Sequence, residues 1–409
     1  MNQLQTTIAA SNFEETAFDF GKYANLYQQE LLQNIIPFWE KHSKDEKFGG
    51  FFTCLDQFGN VYDTDKFIWL QGRQVWSFSM LYNKVAPNKK WLEMALHGAD
   101  FLEKHGRDAA GNWYFSLTQK GAPLVQPYNI FSDCFATMAF AALDKICPSD
   151  TYKKIALDTF NNIIARQHNW KGSYNKAYPD TRPLKNFSLP MILCNLALEL
   201  EHILGEEEVN AFIPTVISQV MDEFYQPSLG LILENIGLDS KPVDCFEGRV
   251  LNPGHAIEAM WFIMDLAKRG NDDALLHKAK DIMLQTLEYG WDKEYGGIFY
   301  FLDVKGYPTQ QLEWDQKLWW VHVETLVALA KAITLTGDEK CIQWFYKVHE
   351  YTWSKFKDPA YGEWFGYLNR RGEVLLPLKG GKWKGCFHIP RSMYQIWNTF
   401  KNANDQQIV

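Results

Sequence analysis

The sequence predicts an all-α fold, an (α/α)6 barrel of six helix pairs joined by short β-hairpins. Three observations predict it: a glycine-aromatic motif recurs six times, the segments between its copies have the helical period, and neighbouring helical segments alternate between nearly all apolar and amphipathic. A helix that is apolar all round is buried, whereas an amphipathic helix lies on the outside. The alternation therefore indicates an inner and an outer ring of helices.

The recurring motif consists of glycine, two to four aromatic or aliphatic residues, and a polar turn. Five clear copies, such as GGIFYFLDVKGYP, and one degenerate copy, KGSYNKAYPDTRP, follow one another about 60 residues apart. The copies begin at Gly49, Gly111, Lys171, Gly230, Gly296 and Gly362. Each alternates apolar and polar residues for a few positions and then turns, which predicts a short hairpin.

Each interval between copies has room for two helices of about 15 residues. Examples with the helical period are FSDCFATMAFAALDKI, HAIEAMWFIMDLAKRG, LWWVHVETLVALAKAITLTG and CIQWFYKVHEYTWSKF. No linker or low-complexity stretch interrupts them, so we expect one domain over residues 1–409, with frayed tails at about residues 1–20 and 402–409. The loops at one end of such a barrel line a central cavity, where functional residues are expected.

Composition and motifs exclude several classes of protein. The net charge of -8 is spread along the chain, which argues against a nucleic-acid surface. No signal peptide is recognisable, no apolar run reaches the roughly 18 residues that span a bilayer, and the seven cysteines form no C-x-x-C. We therefore expect free thiols and a cytoplasmic location. No phosphate loop, dinucleotide fingerprint, zinc motif or serine elbow occurs, so neither a metal nor a nicotinamide is expected.

His255 lies in RVLNPGHAIEAMW, where Asn252 and Pro253 predict the start of a helix. In the first turn the helix dipole disfavours the imidazolium, so we expect a lowered pKa and a neutral ring that accepts protons. Glu258 shares the face of His255 and is expected to orient it. A capping or packing histidine is the alternative interpretation.

His388, in KGGKWKGCFHIPRSMYQIW, also stands at a predicted helix start, because Pro390 follows it closely. His322 lies in the middle of an apolar helix and is expected to be a core histidine with satisfied hydrogen bonds. Glu324, two residues further, is costly in so apolar a helix unless it is paired or functional. Arg73, in a Trp-flanked apolar segment, needs a partner as well: either a substrate group or a structural glutamate.

Long contiguous stretches together resemble the N-acylglucosamine 2-epimerase (renin-binding protein) family, most closely its bacterial members. They include DTDKFIWLQGRQVW, QPYNIFSDCFA, FEGRVLNPGHAIEAMWFIMD, QLEWDQKLWWVHVETLVALA and GGKWKGCFHIPR, and the likeness runs from about Tyr23 to Trp397. The family is an (α/α)6 toroid, which agrees with the repeat count. Its essential residues fall on Arg73 of R-Q-V-W, His255 of N-P-G-H, Glu324 of W-W-V-H-x-E and His388 of G-C-F-H-x-P-R.

The resemblance implies interconversion of N-acetylglucosamine and N-acetylmannosamine with no cofactor for the chemistry, with ATP as an activator that is not consumed, and in a homodimer. Within the matching stretches, the residues expected to bind the sugar are Tyr128, Asn129, Glu258, Lys317 and Trp320. The residues expected to bind the nucleotide are Asn169, Lys171, Gly172 and Lys176.

Inverting C2 requires removing a proton from one face and returning one to the other, so two groups are wanted on opposite sides. We expect His388 to deprotonate the gluco epimer, His255 to protonate the other face, and Arg73 to stabilise the developing C1 oxyanion. Glu324 would orient Arg73 or a histidine, or bind a sugar hydroxyl.

Three alternatives stay open. One is another sugar epimerase or aldose–ketose isomerase, acting on mannose or cellobiose. A second is a glycoside hydrolase or lyase on the same toroid, which would need two facing carboxylates; the histidine pair with Arg73 argues against it. The third is a non-catalytic protease-binding protein.

Overall fold

The fold is a closed double ring of helices, as the sequence predicts. The structure is a computed structural model that describes residues 18–169, 171–178 and 180–407. Its helices are α1 (Phe20–Glu30), α2 (Ile36–His42), α3 (Ile68–Lys84), α4 (Lys89–His105), α5 (Ile130–Ile146), α6 (Asp150–Arg166), α7 (Ser188–Glu199), α8 (Glu201–Leu204), α9 (Glu206–Ser218), α10 (Pro253–Gly270), α11 (Asp273–Gly290), α12 (Trp319–Thr336), α13 (Glu339–Lys355) and α14 (His388–Gln407).

Burial separates an inner from an outer ring. In α12, 15 of 18 residues are buried, whereas in its neighbour α13 only 5 of 17 are. The inner ring runs α3, α5, α7, α10, α12 and α14, each packed on the next. It closes where Ser77 Oγ donates to the Cys386 carbonyl oxygen at 2.7 Å. Each inner helix packs against one outer partner, and α1 covers α14, so the two ends of the chain complete the sixth pair.

Short paired strands connect neighbouring repeats along one rim of the barrel. They are β1 (Lys66–Phe67), β2 (Ser116–Leu117), β3 (Pro123–Val125), β4 (Leu184–Asn186), β5 (Tyr225–Gln226), β6 (Leu231–Ile232), β7 (Asn235–Gly237), β8 (Val250–Leu251), β9 (Leu302–Asp303), β10 (Lys317–Leu318), β11 (Tyr367–Leu368) and β12 (Val374–Leu376). Strands β1, β4, β8 and β10 each precede an inner helix, and each pairs antiparallel with the hairpin that follows the next outer helix. The rim therefore lies at the N-termini of the inner helices.

Buried lysines anchor two of these hairpins in the same way. Lys66 Nζ lies 2.8 Å from Asp45 Oδ2 and Lys317 Nζ lies 3.0 Å from Asp292 Oδ2, and all four side chains are at most 2% exposed. Each lysine is the first residue of the strand before an inner helix, and each aspartate lies at the start of a glycine-rich hairpin. The repeat therefore conserves a structural ion pair.

Two sequence expectations differ in detail. Among the described residues of the copy that begins at Lys171 there is no hairpin, and Gly172–Tyr174 forms a single 3-10 turn. Of the tails expected to fray, residues 1–17 and 408–409 lie outside the described residues. Phe18 is buried against Tyr23, and residues 402–407 continue α14. All seven cysteines are free, and none of the described helices is long and apolar enough to cross a membrane.

Candidate active site

The side chains singled out in the sequence meet at the rim where the inner helices begin. His255 is in the first turn of α10, whose N-cap Asn252 accepts the His255 backbone N–H at 3.1 Å, and His388 is the first residue of α14. Arg73, Glu258 and Glu324 are each the sixth residue of α3, α10 and α12. The shared position places these three at the same depth, one turn below the rim.

Trp320 lies between the two histidines. The centre of its ring system is 5.3 Å from that of His255 and 5.8 Å from that of His388, and both pairs are tilted by about 35–37°. The tryptophan is itself 7% exposed. Two imidazoles from separate inner helices thus border one aromatic surface. That they face each other across a substrate cavity stays a prediction.

A carboxylate orients each histidine through the same ring nitrogen. His388 Nδ1 lies 2.8 Å from Glu324 Oε1, and His255 Nδ1 lies 3.0 Å from Glu234 Oε2. A carboxylate only accepts hydrogen bonds, so Nδ1 carries the proton in both rings. The neutral form of either imidazole therefore offers Nε2 as the base.

Glu324 belongs to a buried network that sequence reasoning found only in part. Arg391 Nη2 donates to Glu324 Oε1 at 2.7 Å and also to Glu258 Oε1, and Trp261 Nε1 donates to Glu324 Oε2 at 3.1 Å. Arg391 and the two glutamates are at most 3% exposed. Arg391 was missed, although it stands three residues after His388, on the same face of α14.

Glu258 is not the partner of His255, which corrects the expectation. The Glu258 carboxylate bonds Arg391 instead, and the carboxylate that bonds His255 is Glu234, from the hairpin before α10. Ser188 Oγ, at the start of α7, donates to Glu234 Oε1 at 3.0 Å. The only sequence signal for Glu234 was an acidic residue inside the apolar run LILENIG.

The two histidines have opposite pKa shifts. Burial opposes the imidazolium of His255, but the charge and hydrogen bond of Glu234 outweigh burial and raise its pKa, contrary to the lowering expected from the helix dipole. A quarter of the His255 side chain is exposed, so burial is incomplete. Burial lowers the pKa of His388 well below its ordinary value, and the positive charges of Arg73 and Arg391 add to that effect. One ring therefore favours the acid form and the other the base form.

Arg73 is a buried cation held by aromatic rings. Its guanidinium carbon lies 3.9 Å from the ring centroid of Phe135, 4.5 Å from Trp69 and 4.9 Å from Phe387. Burial lowers the pKa of Arg73 to about 9, against the attraction of Glu258, so it stays charged at neutral pH. Its buried Nε–H has no hydrogen-bond partner within the described ranges. Such a donor suits a ligand that develops negative charge.

The residues expected to bind sugar fall into two groups. Trp320 and the half-buried Tyr128, which packs on Phe115 at 5.2 Å, belong to the rim, and Asn129 caps α5 by accepting the Phe131 N–H at 2.9 Å. Lys317 is fully buried in its ion pair with Asp292, the anchor that recurs elsewhere in the repeat. Its ammonium group already has a structural partner, and its assignment to substrate binding stays a prediction.

Two of the four residues expected to bind a nucleotide line a cavity of about 920 Å³ beside the site. Asn169 and Lys171 line it together with Arg182, Lys185 and Ser188. Gly172 and Lys176 are exposed nearby and do not line it. Ser188 lines this cavity and donates a hydrogen bond to Glu234, the carboxylate that bonds His255. The cavity therefore lies next to the histidine–carboxylate pair.

Within the described residues, Glu258, Glu324 and His388 form a group whose ligand atoms lie within 4.8 Å of one another. By distance alone this group resembles a metal site. The Arg391 guanidinium, however, bonds both carboxylates and supplies the positive charge that a cation would bring. The expectation that no metal is needed stays a prediction.

Two imidazoles that carboxylates orient, with pKa values shifted in opposite directions, lie beside a buried cation, an arrangement suited to general acid–base catalysis. Fold and site together place an arrangement suited to proton transfer at the rim of an (α/α)6 barrel.

The model of the N-acylglucosamine 2-epimerase (GlcNAc 2-epimerase) family matches residues 50–391. The N-acylglucosamine 2-epimerase of Bos taurus is 38% identical over 371 residues, which cover 88% of this chain and 87% of the relative. The chain belongs to the N-acylglucosamine 2-epimerase family, and it is a carbohydrate epimerase.

More distant relatives share the fold. The cellobiose 2-epimerase of Bacteroides fragilis is 25% identical and the match covers 90% of this chain and 97% of that one. The structure of cellobiose 2-epimerase from Bacillus thermoamylovorans B4167 superimposes with a TM-score of 0.80 at 20% identity, covering 92% of this chain and 99% of that one. At this identity the structural likeness supports the (α/α)6 barrel.

Proposed function

We propose that the protein interconverts N-acetyl-D-glucosamine and N-acetyl-D-mannosamine by deprotonation and reprotonation at C2. The observation that carries the proposal is the pair of imidazoles on Trp320, each tied through Nδ1 to a carboxylate and shifted in opposite directions. The choice of sugar follows the relatives: 38% identity to a mammalian N-acylglucosamine 2-epimerase, against 25% to a cellobiose 2-epimerase.

The reaction starts from the open-chain sugar, whose C1 aldehyde makes the C2 proton acidic. His388 Nε2 removes that proton from the gluco epimer, and the C–H electron pair moves to give an enolate with its charge on the C1 oxygen. Arg73 stabilises this charge from its desolvated position, a term worth several kcal/mol in sites of this kind. The His255 imidazolium then protonates the opposite face of C2, and the roles reverse for the manno epimer.

The pKa shifts support the assignment of His388 as the base and His255 as the acid for the gluco epimer. His388, with its lowered pKa, rests as the neutral base, and His255, with its raised pKa, rests as the acid. Glu324 orients His388, and its second oxygen and Arg391 keep the carboxylate in place. We therefore assign Glu324 to positioning rather than to proton transfer.

Purified protein incubated in deuterium oxide with N-acetylglucosamine, N-acetylmannosamine, mannose or cellobiose tests the proposal. We expect each N-acetyl sugar to yield its C2 epimer with deuterium at C2, and the other two sugars to react far more slowly. Turnover of mannose or cellobiose instead would make this a different sugar epimerase or isomerase. Epimerisation with retention of the original C2 hydrogen would overturn the two-histidine route.

We further propose that ATP activates the enzyme without being consumed, from the cavity lined by Asn169 and Lys171. The cavity's size supports a ligand of nucleotide dimensions. An anionic ligand would have to replace Glu247 and Glu223, which also line the cavity, as the partners of Arg182 and Lys185. A rate of epimerisation that rises with ATP, while the ATP concentration stays constant, is expected. A homodimer and a cytoplasmic location complete the proposal and are tested by sedimentation and by cell fractionation.

A further inference from the structure

Backbone hydrogen bonds fix Glu234 on both sides, although it lies in a hairpin. Its backbone N–H donates to the Val250 carbonyl oxygen at 3.0 Å, and its own carbonyl oxygen accepts the Phe187 N–H at 2.9 Å. Val250 lies just before α10 and Phe187 just before α7, so the residue is clamped between two inner helices. Its side chain is 11% exposed. The carboxylate position is therefore fixed by the rim itself.

Both carboxylate oxygens of Glu234 face His255. Oε1 and Oε2 lie 3.1 and 3.0 Å from His255 Nδ1, and Ser188 Oγ holds Oε1 from the other side at 3.0 Å. The other groups around the ring are Trp320 from α12, the Glu258 carboxylate from its own helix and His388 from α14. Among these neighbours only Glu234 bonds the ring directly.

The two histidine–carboxylate pairs differ in how the carboxylate charge is used. Glu324 shares its charge with Arg391 at 2.7 Å, so His388 receives only part of it. In the part of the chain that the structure describes, the single ion pair of Glu234 is with His255. An undivided carboxylate charge stabilises an imidazolium, whereas a shared charge orients a neutral ring.

We infer that Glu234 is the positioning residue that makes His255 the acid of the pair, by holding it in the Nδ1–H form and keeping Nε2 protonated between turnovers. This inference rests on the proposed function for its kinetic consequence. His388 Nε2 takes the proton from one face of C2, and His255 Nε2 gives a proton to the other, after which both rings return to their starting states by exchange with solvent. Without Glu234, the first transfer still occurs but the second slows.

Glu234→Gln tests this, with Asp239→Asn as the matched control. Asp239 is a 62%-exposed carboxylate in the same hairpin region, paired with Lys241. The glutamine amide keeps the shape of the carboxylate but removes the charge and can donate to Nδ1, which favours the wrong tautomer. In ¹⁵N-histidine NMR we expect the pKa of His255 to fall by at least about one unit in Glu234→Gln, a tenfold change in protonation, and not in the control.

The kinetic measurement uses N-acetylglucosamine in deuterium oxide. For Glu234→Gln we expect the ratio of C2 deuterium in recovered substrate to deuterated epimer to rise at least about tenfold, with KM little changed. A purely structural role would lower both exchange and epimerisation together and would leave that ratio unchanged, and this result overturns the inference. An unaltered His255 titration also overturns it.

Two further outcomes are separable. If the wild-type protein epimerises none of the sugars, the proposed function fails, whereas the NMR titration still decides the role of Glu234. If Glu234→Gln does not fold by circular dichroism, Glu234→Asp serves in its place, because it keeps the charge but withdraws it by one methylene. A His255 pKa in Glu234→Asp that is lower than the wild-type value supports the inference, and a pKa equal to the wild-type value contradicts it.

Discussion

The Nδ1 atom of His388 lies 2.8 Å from Oε1 of Glu324, although the two residues are 64 positions apart in the chain. The contact joins the first residue of α14 to the sixth residue of α12. It leaves Nε2 of His388 without a proton in the neutral ring, as the proposed role of this histidine as the base requires. Its counterpart between His255 and Glu234 stabilises the opposite protonation state, and several measurements follow from this asymmetry.

Single-histidine variants should separate the two faces of C2. His388→Ala and His255→Ala are each expected to lose epimerisation by at least about a thousandfold, because each removes one of two obligatory proton-transfer groups. His255→Ala should still exchange the C2 proton of N-acetylglucosamine with deuterium oxide, since His388 remains. Proton NMR of the C2 position follows both processes, and His277→Ala, an exposed histidine on α11, serves as the control. Undiminished epimerisation in either variant would contradict the assignment.

Removing Arg391 should damage both activity and stability. Arg391→Met leaves Glu258 and Glu324 as buried carboxylates without their cation, which costs about 3–5 kcal/mol in comparable buried pairs. Arg391→Lys keeps the positive charge, but its shorter side chain cannot place the ammonium nitrogen where Nη2 meets both carboxylates, so partial recovery is expected. Urea unfolding and initial rates measure the two effects. Wild-type stability in Arg391→Met would show that the network contributes little.

Lys317→Met should destabilise the hairpin without changing sugar affinity. The variant leaves Asp292 with Arg370 as its remaining cation, so we expect the free energy of unfolding to fall by less than the about 3–5 kcal/mol of a buried charge left unpaired. Lys66→Met removes the equivalent anchor in another repeat and should likewise leave the sugar affinity unchanged. The KM for the sugar is the deciding value: a large rise in Lys317→Met but not in Lys66→Met would support a role in substrate binding.

His322 should make the fold sensitive to acid. Burial lowers the pKa of His322 to about 3 and outweighs the hydrogen bond from Nδ1 to the Leu318 carbonyl oxygen, which raises it. Its Nε2 already accepts the Ile298 N–H at 3.0 Å. Between pH 6.5 and 3 the unfolded chain binds a proton that the folded chain does not. The free energy of unfolding therefore falls as pH falls below 6.5, by up to about 1.4 kcal/mol per unit from this group. Urea unfolding at pH 7 and pH 4.5 should show a smaller difference for His322→Gln than for wild type, while His277→Gln behaves like wild type.

Metal removal should leave the activity intact. The Arg391 guanidinium occupies the space between Glu258 and Glu324, and proton transfer by two imidazoles needs no Lewis acid. Rates measured before and after dialysis against EDTA should agree. Loss of activity that returns with one divalent cation would place a metal among Glu258, Glu324 and His388.

Part of the site was predictable because it depends on local sequence. Asn252 and Pro253 predict the start of α10 and hence the position of His255, and Pro390 does the same for His388. The carboxylate partners were not predictable in this way. Glu258 shares a helix face with His255, yet Arg391, 133 residues away, binds it, and Glu234 reaches His255 from a hairpin. The predicted direction of the His255 pKa shift was wrong for the same reason: the nearby charge of Glu234 raises the pKa and outweighs the helix dipole.

The sequence by itself determined the barrel, since hydrophobic periodicity and the recurring glycine motif depend on residues close together in the chain. It also determined which residues begin the inner helices, because capping is local. The tertiary structure alone decided the pairing of charges, since buried carboxylates and cations choose partners by proximity in space. Lys317 binds Asp292 and Arg391 bridges two glutamates because desolvation makes any unpaired buried charge costly.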